Sequence, residues 1–382
     1  MKSFTMRIAV NTRFLLSARL EGIGWVTHEL IRRLVAAHPD DEFLFFFDRP
    51  YSKEFIYGSN VRPIVLFPPA RHPILWYAWF EFSVARALRR LKPDVFFSPD
   101  NYLSLRASTP TVMITHDLAH LHYPEQIPGL VRRYYNHFVP RFLQRADRIV
   151  AVSDYTRQDI ISQYQIPPEK VELIYNGCRE QFVPVPKKEQ AEMREKYAGG
   201  RPYFFYLGAV HPRKNVDRMI RAFDRFKAAT AAPLQLLIGG RLAWQTSDVR
   251  AAYEGAESKA DIHFLGHVPE ADLPRLMGAA FALVYVSLFE GFGLPVLEAL
   301  RCGVPVISST TSSLPEVTGE AGLLVDPTSE EAIAEAMQRM YGEPELYRRL
   351  VAAAPGQVAK FSWDRAAAQL YEVLKTVAEE HH

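Results

Sequence analysis

The sequence predicts an α/β protein built twice over, two doubly wound parallel sheets in succession along one chain. Three observations predict it. Short β-rich runs alternate with helix-length amphipathic segments from end to end. The runs are nearly continuous in apolar residues, as strands covered by helices on both faces must be, whereas half-wet strands alternate. The 382 residues also exceed one ordinary core, at about 150 residues per domain, so the rhythm is expected to divide between two.

In the first series the runs lie at residues 8–11, 43–47, 95–98, 112–115, 149–153 and 171–175. In the second they lie at 203–207, 234–238, 262–265, 282–287, 304–308 and 323–325. Between them apolar periodicity fails and Pro184, Pro186, Gly199 and Gly200 accumulate, which marks a boundary. The expected division is residues 1–178 as a first Rossmann-like domain, 179–201 as a linker with a short helix, and 202–362 as a second Rossmann-like domain. A last helical stretch covers 363–380. Open parallel sheets bind ligands beyond the C-terminal ends of their strands, so chemistry is expected in the loops there, facing a shared cleft.

Composition narrows the classes. With 45 basic and 43 acidic residues the net charge is +2, which excludes a whole-surface nucleic-acid footprint and leaves only local patches. Cys178 and Cys302 are far apart and make neither a disulfide framework nor a zinc pattern, which fits a reducing compartment. No run reaches about 18 apolar residues and the first residues show no small-residue cleavage site, so a cytoplasmic protein without a membrane span is expected.

The most informative stretch is 287–303. A buried run ends near Ser287, a turn holds Gly291 and Gly293, Pro295 suits a first helical turn, and Gly303 stops the helix. Backbone N–H groups of Phe292, Gly293 and Leu294 at that helix start would suit an anion or sugar hydroxyls. Glu290 and Glu298 emerge from otherwise apolar or glycine surroundings, and carboxylates there accept hydrogen bonds from paired hydroxyls of a ribose or hexose. Two glutamates eight apart on a wet helix face are the structural alternative.

A second candidate follows the run at 203–207. Arg213 and Lys214 precede an amphipathic helix with Asn215 as its expected N-cap, so two cations and a helix dipole would hold a diphosphate without a metal. In the first domain Gly22 and Gly24, within 19–26, allow close backbone approach, but they are not the Gly-x-Gly-x-x-Gly of a dinucleotide fold. Hydride transfer loses its support. His116 and Asp117 end a strand and are ligand-contact candidates. His120, His122 and Glu125 lack a matching distant cluster, so no metal is expected. Two stretches mix aromatic and basic residues, from Trp76 to Lys92 and from Arg132 to Arg145. They read either as a face that rests on anionic lipid headgroups or surrounds a polar acceptor, or as helices with a core stripe and a basic outer side.

At these residues the chain resembles the retaining glycosyltransferases of family 4, with the two-domain GT-B fold, over nearly its whole length. The resemblance is carried by Glu290 and Glu298 as a Glu-x7-Glu motif, by Gly-Val-Pro-Val-Ile at 303–307, Leu-Pro-Glu-Val at 314–317 and Ala-Gly-Leu-Leu-Val-Asp-Pro at 321–327. Val-Ser-Asp-Tyr-Thr-Arg at 152–157, Ile-Tyr-Asn-Gly at 174–177 and Pro-Arg-Lys-Asn at 212–215 are similar to the family as well.

The resemblance implies a nucleoside diphosphate sugar as co-substrate, no cofactor, no required metal and no nucleic-acid partner. By it, Glu298 takes the ribose hydroxyls, Arg213 and Lys214 the diphosphate, and Glu290 with the backbone at Phe292, Gly293 and Leu294 the transferred sugar. The main chain near His267 and Val268 meets the base. His116 touches the sugar from the first domain, with Asp117 beside it on the acceptor side, while Gly22 and Gly24 line the cleft beside the phosphates. The catalytic set is then Glu290, His116, Arg213 and Lys214, and the last helix packs back on the first domain. One departure stands out: many members have Gly-Arg where this chain has Gly208-Ala209, so that arginine's task passes to Arg213.

Similarity to bacterial surface-polysaccharide mannosyltransferases implies guanosine diphosphate mannose as donor and a glycan, lipid-linked or small-molecule acceptor. The alternatives are a uridine diphosphate sugar-dependent glucosyl- or N-acetylglucosaminyltransferase of the same fold, or a non-catalytic sugar-nucleotide-binding subunit.

Overall fold

The computed structural model describes residues 5–17, 20, 22–241 and 247–381. They form two compact units: one takes the chain up to Gly177 together with the stretch from Ser362, the other takes Cys178–Phe361.

In the first unit the described strands are β1 (Arg7–Asn11), β2 (Glu42–Phe47), β3 (Val61–Val65), β4 (Val95–Ser98), β5 (Thr111–Thr115), β6 (Arg148–Ala151) and β7 (Val171–Leu173). They make one parallel sheet in the order β3-β2-β1-β4-β5-β6-β7. Nearly every side chain of β2, β4 and β5 is buried, which is why these strands read as unbroken apolar runs. Sequence reading leaves out β3, whose run is interrupted by Arg62 and Pro63. It lies at the sheet edge, where a proline's missing N–H removes no ladder bond on the open side.

The helix Trp363–Glu379 belongs to this unit. Ser362 caps it by accepting the Arg365 N–H, and its buried stripe of Trp363, Leu370, Leu374 and Val377 packs on the helix Ile23–Ala37. Arg33 meets Asp364 at 2.5 Å, and the Tyr371 hydroxyl donates to Asp41 at 2.7 Å. A Cβ on Gly177 would collide with the Trp363 backbone, so the two chain segments touch only because residue 177 is glycine.

The aromatic stretch divides. Trp79 and Phe80 are buried, Trp79 donates to the Leu66 carbonyl at 2.9 Å, and Trp76 lies against Tyr102, Tyr134 and Tyr135. The helix Pro73–Ala78 runs on into a π-helical turn, Trp79–Val84, which leaves Phe82 51% exposed.

The second unit's described strands are β8 (Tyr203–Leu207), β9 (Gln235–Gly239), β10 (Ile262–Gly266), β11 (Ala282–Tyr285), β12 (Val306–Ser309) and β13 (Gly322–Val325). All are parallel, in the order β10-β9-β8-β11-β12-β13. Residues 179–201 pack onto this unit through the helix Lys187–Ala198: Arg275 bonds Glu189 at 2.9 Å and Arg194 donates to the Ala279 carbonyl at 3.0 Å. In each sheet the strand order reverses beside the first strand, between β1 and β4 and between β8 and β11. Loops leaving such neighbours diverge to opposite faces and open a crevice, the usual ligand position in doubly wound sheets.

Candidate active site

The β8–β11 switch point gathers most of the charged candidates of the second unit. After β8 the chain runs into a 3-10 turn, Pro212–Lys214, started by His211, whose Nδ1 accepts the Arg213 N–H at 3.4 Å. Asn215 follows in the left-handed region at φ 60°, which asparagine tolerates better than most residues. It occupies the N-cap position of the helix Val216–Ala229, but its side chain does not cap that helix, contrary to expectation. Its Nδ2 instead donates to the carbonyls of Val286 at 2.9 Å and Pro327 at 2.7 Å. The amide thereby staples the loop after β8 to the segments after β11 and β13.

The two switch-point loops also pair through backbone, Leu288 N–H donating to the Arg213 carbonyl at 2.9 Å. Arg213 donates to the Phe289 carbonyl at 2.8 Å and lies 3.3 Å from Glu290 Oε2. Lys214 Nζ lies 2.5 Å from Glu290 Oε1 and donates to the Tyr285 hydroxyl at 3.0 Å. Glu290 is 7% exposed. Burial alone would raise its carboxyl, but Lys214 and then Arg213 outweigh burial and hold it at about 2. At neutral pH it is therefore an acceptor only, suited to hydroxyl donors and not to proton delivery.

The turn beyond Glu290 is held from β12's side. Ser312 Oγ accepts the Glu290 N–H at 3.0 Å, and the Ser313 hydroxyl is shared between the carbonyls of Glu290 at 2.9 Å and Phe292 at 3.0 Å. Gly293 has φ 102°, and a Cβ there would stand 2.7 Å from Leu314 Cδ2, so only glycine makes this turn without strain. The helix Leu294–Arg301 begins at once, with Pro295 in its first turn. Among the described residues the N–H groups of Gly293 and Leu294 have no acceptor, as the first turn of a helix leaves them. The Phe292 side chain packs edge-on to Phe361.

Glu298 stands further along that helix, 3% exposed. Arg179 Nε donates to its Oε1 at 2.8 Å, and Arg179 Nη1 reaches Glu270 Oε2 at 3.2 Å. Burial raises the Glu298 carboxyl above its ordinary value, against the pull of Arg179. Glu270 belongs to the loop after β10 that opens with His267, exposed, and Val268, buried beside Gly239. The second unit thus holds two charged clusters at the C-terminal ends of its strands: Arg213, Lys214 and Glu290, and Arg179, Glu298 and Glu270.

In the first unit His116 follows β5. Its Nε2 lies 2.8 Å from the Pro99 carbonyl, which can only accept, so Nε2 carries the proton. Burial lowers its basicity, against the pull of the Pro99 carbonyl, Asp117 and Asp100. Asp117 Oδ1 accepts the Ala119 N–H at 3.0 Å in a local turn. Gly22 has φ 32° at the start of the helix Ile23–Ala37, while a Cβ on Gly24 would stand 2.8 Å from the Phe14 carbonyl. The close approach that Gly24 allows is therefore to its own chain. Arg19 and Glu21, from the same stretch, lie outside the described residues. His120 and His122 bond Tyr164 at 3.0 Å and Asp159 at 2.8 Å. Among the described residues no group of three or more His, Cys, Asp or Glu is arranged to hold a metal ion.

Sequence reasoning missed several groups: Tyr285, Ser312 and Ser313 around Glu290, and Arg179 with Glu270 around Glu298. It also missed a buried pair at the β1–β4 switch point. There Asp100 Oδ2 accepts from Arg13 Nε at 2.8 Å and Asn11 Nδ2 at 3.0 Å, and the guanidinium lies 4.2 Å above the Tyr102 ring. Each unit thus carries a buried ion pair at its switch point, Arg13 with Asp100 in the first and Lys214 with Glu290 in the second.

Residues 188–357 match the model described as Glycosyl transferases group 1, and residues 20–182 match that described as Glycosyltransferase Family 4. The chain is 31% identical over 368 residues to the O-antigen chain mannosyltransferase B of Escherichia coli, covering 93% of this chain and 96% of the relative. It is 27% identical to the O-antigen chain mannosyltransferase RfbU of Salmonella typhimurium, covering 76% of each. Among solved structures it resembles Anabaena Alr3699/HepE in complex with UDP-glucose, with TM-score 0.76, 16% identity, and 97% and 100% of the two chains covered. A relative aligned over nearly the full length, together with two family models that tile most of the chain, settles the assignment: the chain belongs to glycosyltransferase family 4, and its two doubly wound parallel sheets have the GT-B fold.

Proposed function

We propose that the protein is a retaining, metal-independent mannosyltransferase that moves mannose from guanosine diphosphate mannose to a hydroxyl of a growing bacterial surface glycan. The observation that carries this reading is the Arg213 and Lys214 pair converging on Glu290 at the β8–β11 switch point. Two fixed cations beside the start of the helix Leu294–Arg301 suit a diphosphate, and an ionised carboxylate between them suits sugar hydroxyls. The mannosyltransferase relatives favour mannose.

In this reading the bond from the anomeric carbon to the diphosphate oxygen breaks and its electron pair leaves with the diphosphate. Arg213 and Lys214 stabilise that charge, so no separate acid and no divalent ion is needed. The acceptor oxygen then bonds to the anomeric carbon from the same face, and its proton passes to the departing phosphate oxygen. Glu290 orients the sugar together with the Phe292, Gly293 and Leu294 backbone, Glu298 takes the ribose hydroxyls, and the backbone at His267 and Val268 meets the base. His116 and Asp117 are the groups assigned to the acceptor side.

Peripheral contact with the anionic inner face of the cell membrane completes the proposal. No described helix is long and apolar enough to cross a membrane. On the first unit, Phe67 is 80% and Ile74 66% exposed, and the Arg106 guanidinium lies 4.5 Å over the exposed Phe82 ring. Residues 62–92 hold six arginines and lysines against one acid, the buried Glu81. Exposed apolar side chains set among cations fit an anionic lipid surface.

A thermal-shift panel of guanosine, uridine and adenosine diphosphates, run with a chelator present, tests the core of the reading. Guanosine diphosphate is expected to raise the melting temperature most, because specific binding stabilises the folded state by mass action. Stabilisation by uridine diphosphate alone overturns the donor, and a requirement for magnesium or manganese overturns metal independence.

A further inference from the structure

Arg179 is a buried cation with no part in the reaction sketched above, and its guanidinium is fixed from several sides. Nε donates to Glu298 Oε1, Nη1 reaches Glu270 Oε2, and the plane lies 4.6 Å over the ring of Phe182. Phe182 is itself buried, its carbonyl accepting from Arg301 Nε at 2.9 Å. Glu298 has apolar neighbours in its own helix, Val296, Leu297, Ala299 and Leu300 all being buried. A carboxylate in such surroundings keeps its charge and a defined orientation only with a hydrogen-bonded cation beside it. Arg179 supplies that cation, taking Oε1 and leaving Oε2 without a partner among the described residues.

We propose that Arg179 is a positioning residue for the nucleotide's ribose: it turns and holds Glu298 so that Oε2 accepts the ribose hydroxyls, and it thereby sets the preference for ribose over 2′-deoxyribose. One carboxylate oxygen carries two lone-pair positions, enough for a vicinal pair of hydroxyls. The fork is needed because it bonds Glu298 and Glu270 at once; without it the two carboxylates face each other with no charge between them. A lysine restores the charge but not the second arm. The inference rests on the assignment of Glu298 to the ribose.

The experiment is calorimetric titration of the full chain with the nucleoside diphosphate that binds in the panel above and with its 2′-deoxy counterpart. It compares the unaltered protein, Glu298→Gln, Arg179→Lys and Arg179→Gln, with thermal unfolding in the absence of nucleotide as the check on folding. The unaltered protein is expected to prefer the ribonucleotide about tenfold, the scale of a hydrogen bond to a charged group. That ratio should fall towards one in Arg179→Gln and in Glu298→Gln, with Arg179→Lys in between. Should Arg179→Gln fail to fold, Arg179→Lys carries the comparison alone. If the unaltered protein does not discriminate, or Glu298→Gln still does, the assignment of Glu298 is wrong. If Glu298→Gln loses the preference while folded Arg179 variants keep it in full, Arg179 is merely structural and the proposal is overturned.

Discussion

Lys214 Nζ lies 2.5 Å from Glu290 Oε1 and 3.0 Å from the Tyr285 hydroxyl, so one ammonium is held between a carboxylate and a buried phenol. In Lys214→Met the stem volume stays and the charge goes, leaving Glu290 to Arg213. Nucleotide affinity is expected to fall about tenfold or more, and turnover by about 10²-fold, the scale of one electrostatic group at a transition state. Calorimetry and initial rates measure both. Unchanged values would remove Lys214 from the phosphate site.

The Glu290 carboxyl is held at about 2 against an ordinary 4.5, so its contribution to stability has a defined pH window. A depressed carboxyl stabilises the fold above its unfolded value, and that stabilisation is lost as pH falls from about 4.5 towards 2. By linkage it amounts to about 3 kcal/mol at neutral pH. Glu290→Gln should therefore melt well below the unaltered protein at pH 7, with the gap narrowing as acid is added. A gap independent of pH from 7 to 3 would contradict the ion-pair account.

Gly293 and Gly303 both have positive φ, at 102° and 74°, but only Gly293 has a neighbour in the way of a Cβ. Gly293→Ala should cost about 2–3 kcal/mol through backbone strain plus the Leu314 collision, and Gly303→Ala about 1 kcal/mol. Urea unfolding of the two variants checks the order. Gly293→Ala should also weaken nucleotide binding, since the turn presents the N–H groups of Gly293 and Leu294.

Triple substitution of Phe67, Ile74 and Phe82 by serine removes the exposed apolar side chains without touching the second unit. Co-sedimentation with phosphatidylglycerol-rich vesicles is expected for the unaltered protein and should weaken at least tenfold in the triple variant, at about 1.5–3 kcal/mol per large side chain buried. Phosphatidylcholine vesicles should hold neither. Equal sedimentation of both proteins would remove this face from any membrane contact, and nucleotide affinity should be unaffected throughout.

Much of the second unit's candidate site could be picked out in advance because its charged groups are concentrated in short segments. Glu290 and Glu298 drew notice as carboxylates among apolar and glycine residues, and Gly293 and Pro295 showed where a turn gives way to a helix. Arg179 was not legible, since it stands in a boundary stretch without periodicity and acquires meaning only when the fold brings helix Leu294–Arg301 beside it. Asn215 was placed correctly at a helix start, yet its side chain is claimed by two distant carbonyls that no local rule announces. β3 was lost because Arg62 and Pro63 break its apolar run, and an edge strand needs less burial than a central one. The aromatic stretch from Trp76 held both alternatives at once. Local sequence could not say that Trp79 turns inward while Phe82 turns out, because that split depends on one π-helical turn.

The first unit is completed by residues from Ser362 onward, while the second is one uninterrupted length, Cys178–Phe361. A chain leaving the ribosome in order therefore presents the helix Ile23–Ala37 long before the segment that covers it. The apolar stripe awaiting Leu370, Leu374 and Val377 stays open through translation of the whole second unit, which can fold first as an insert. During that interval this apolar seam is exposed to aggregation, and termination before residue 362 would release a first half with it unsealed.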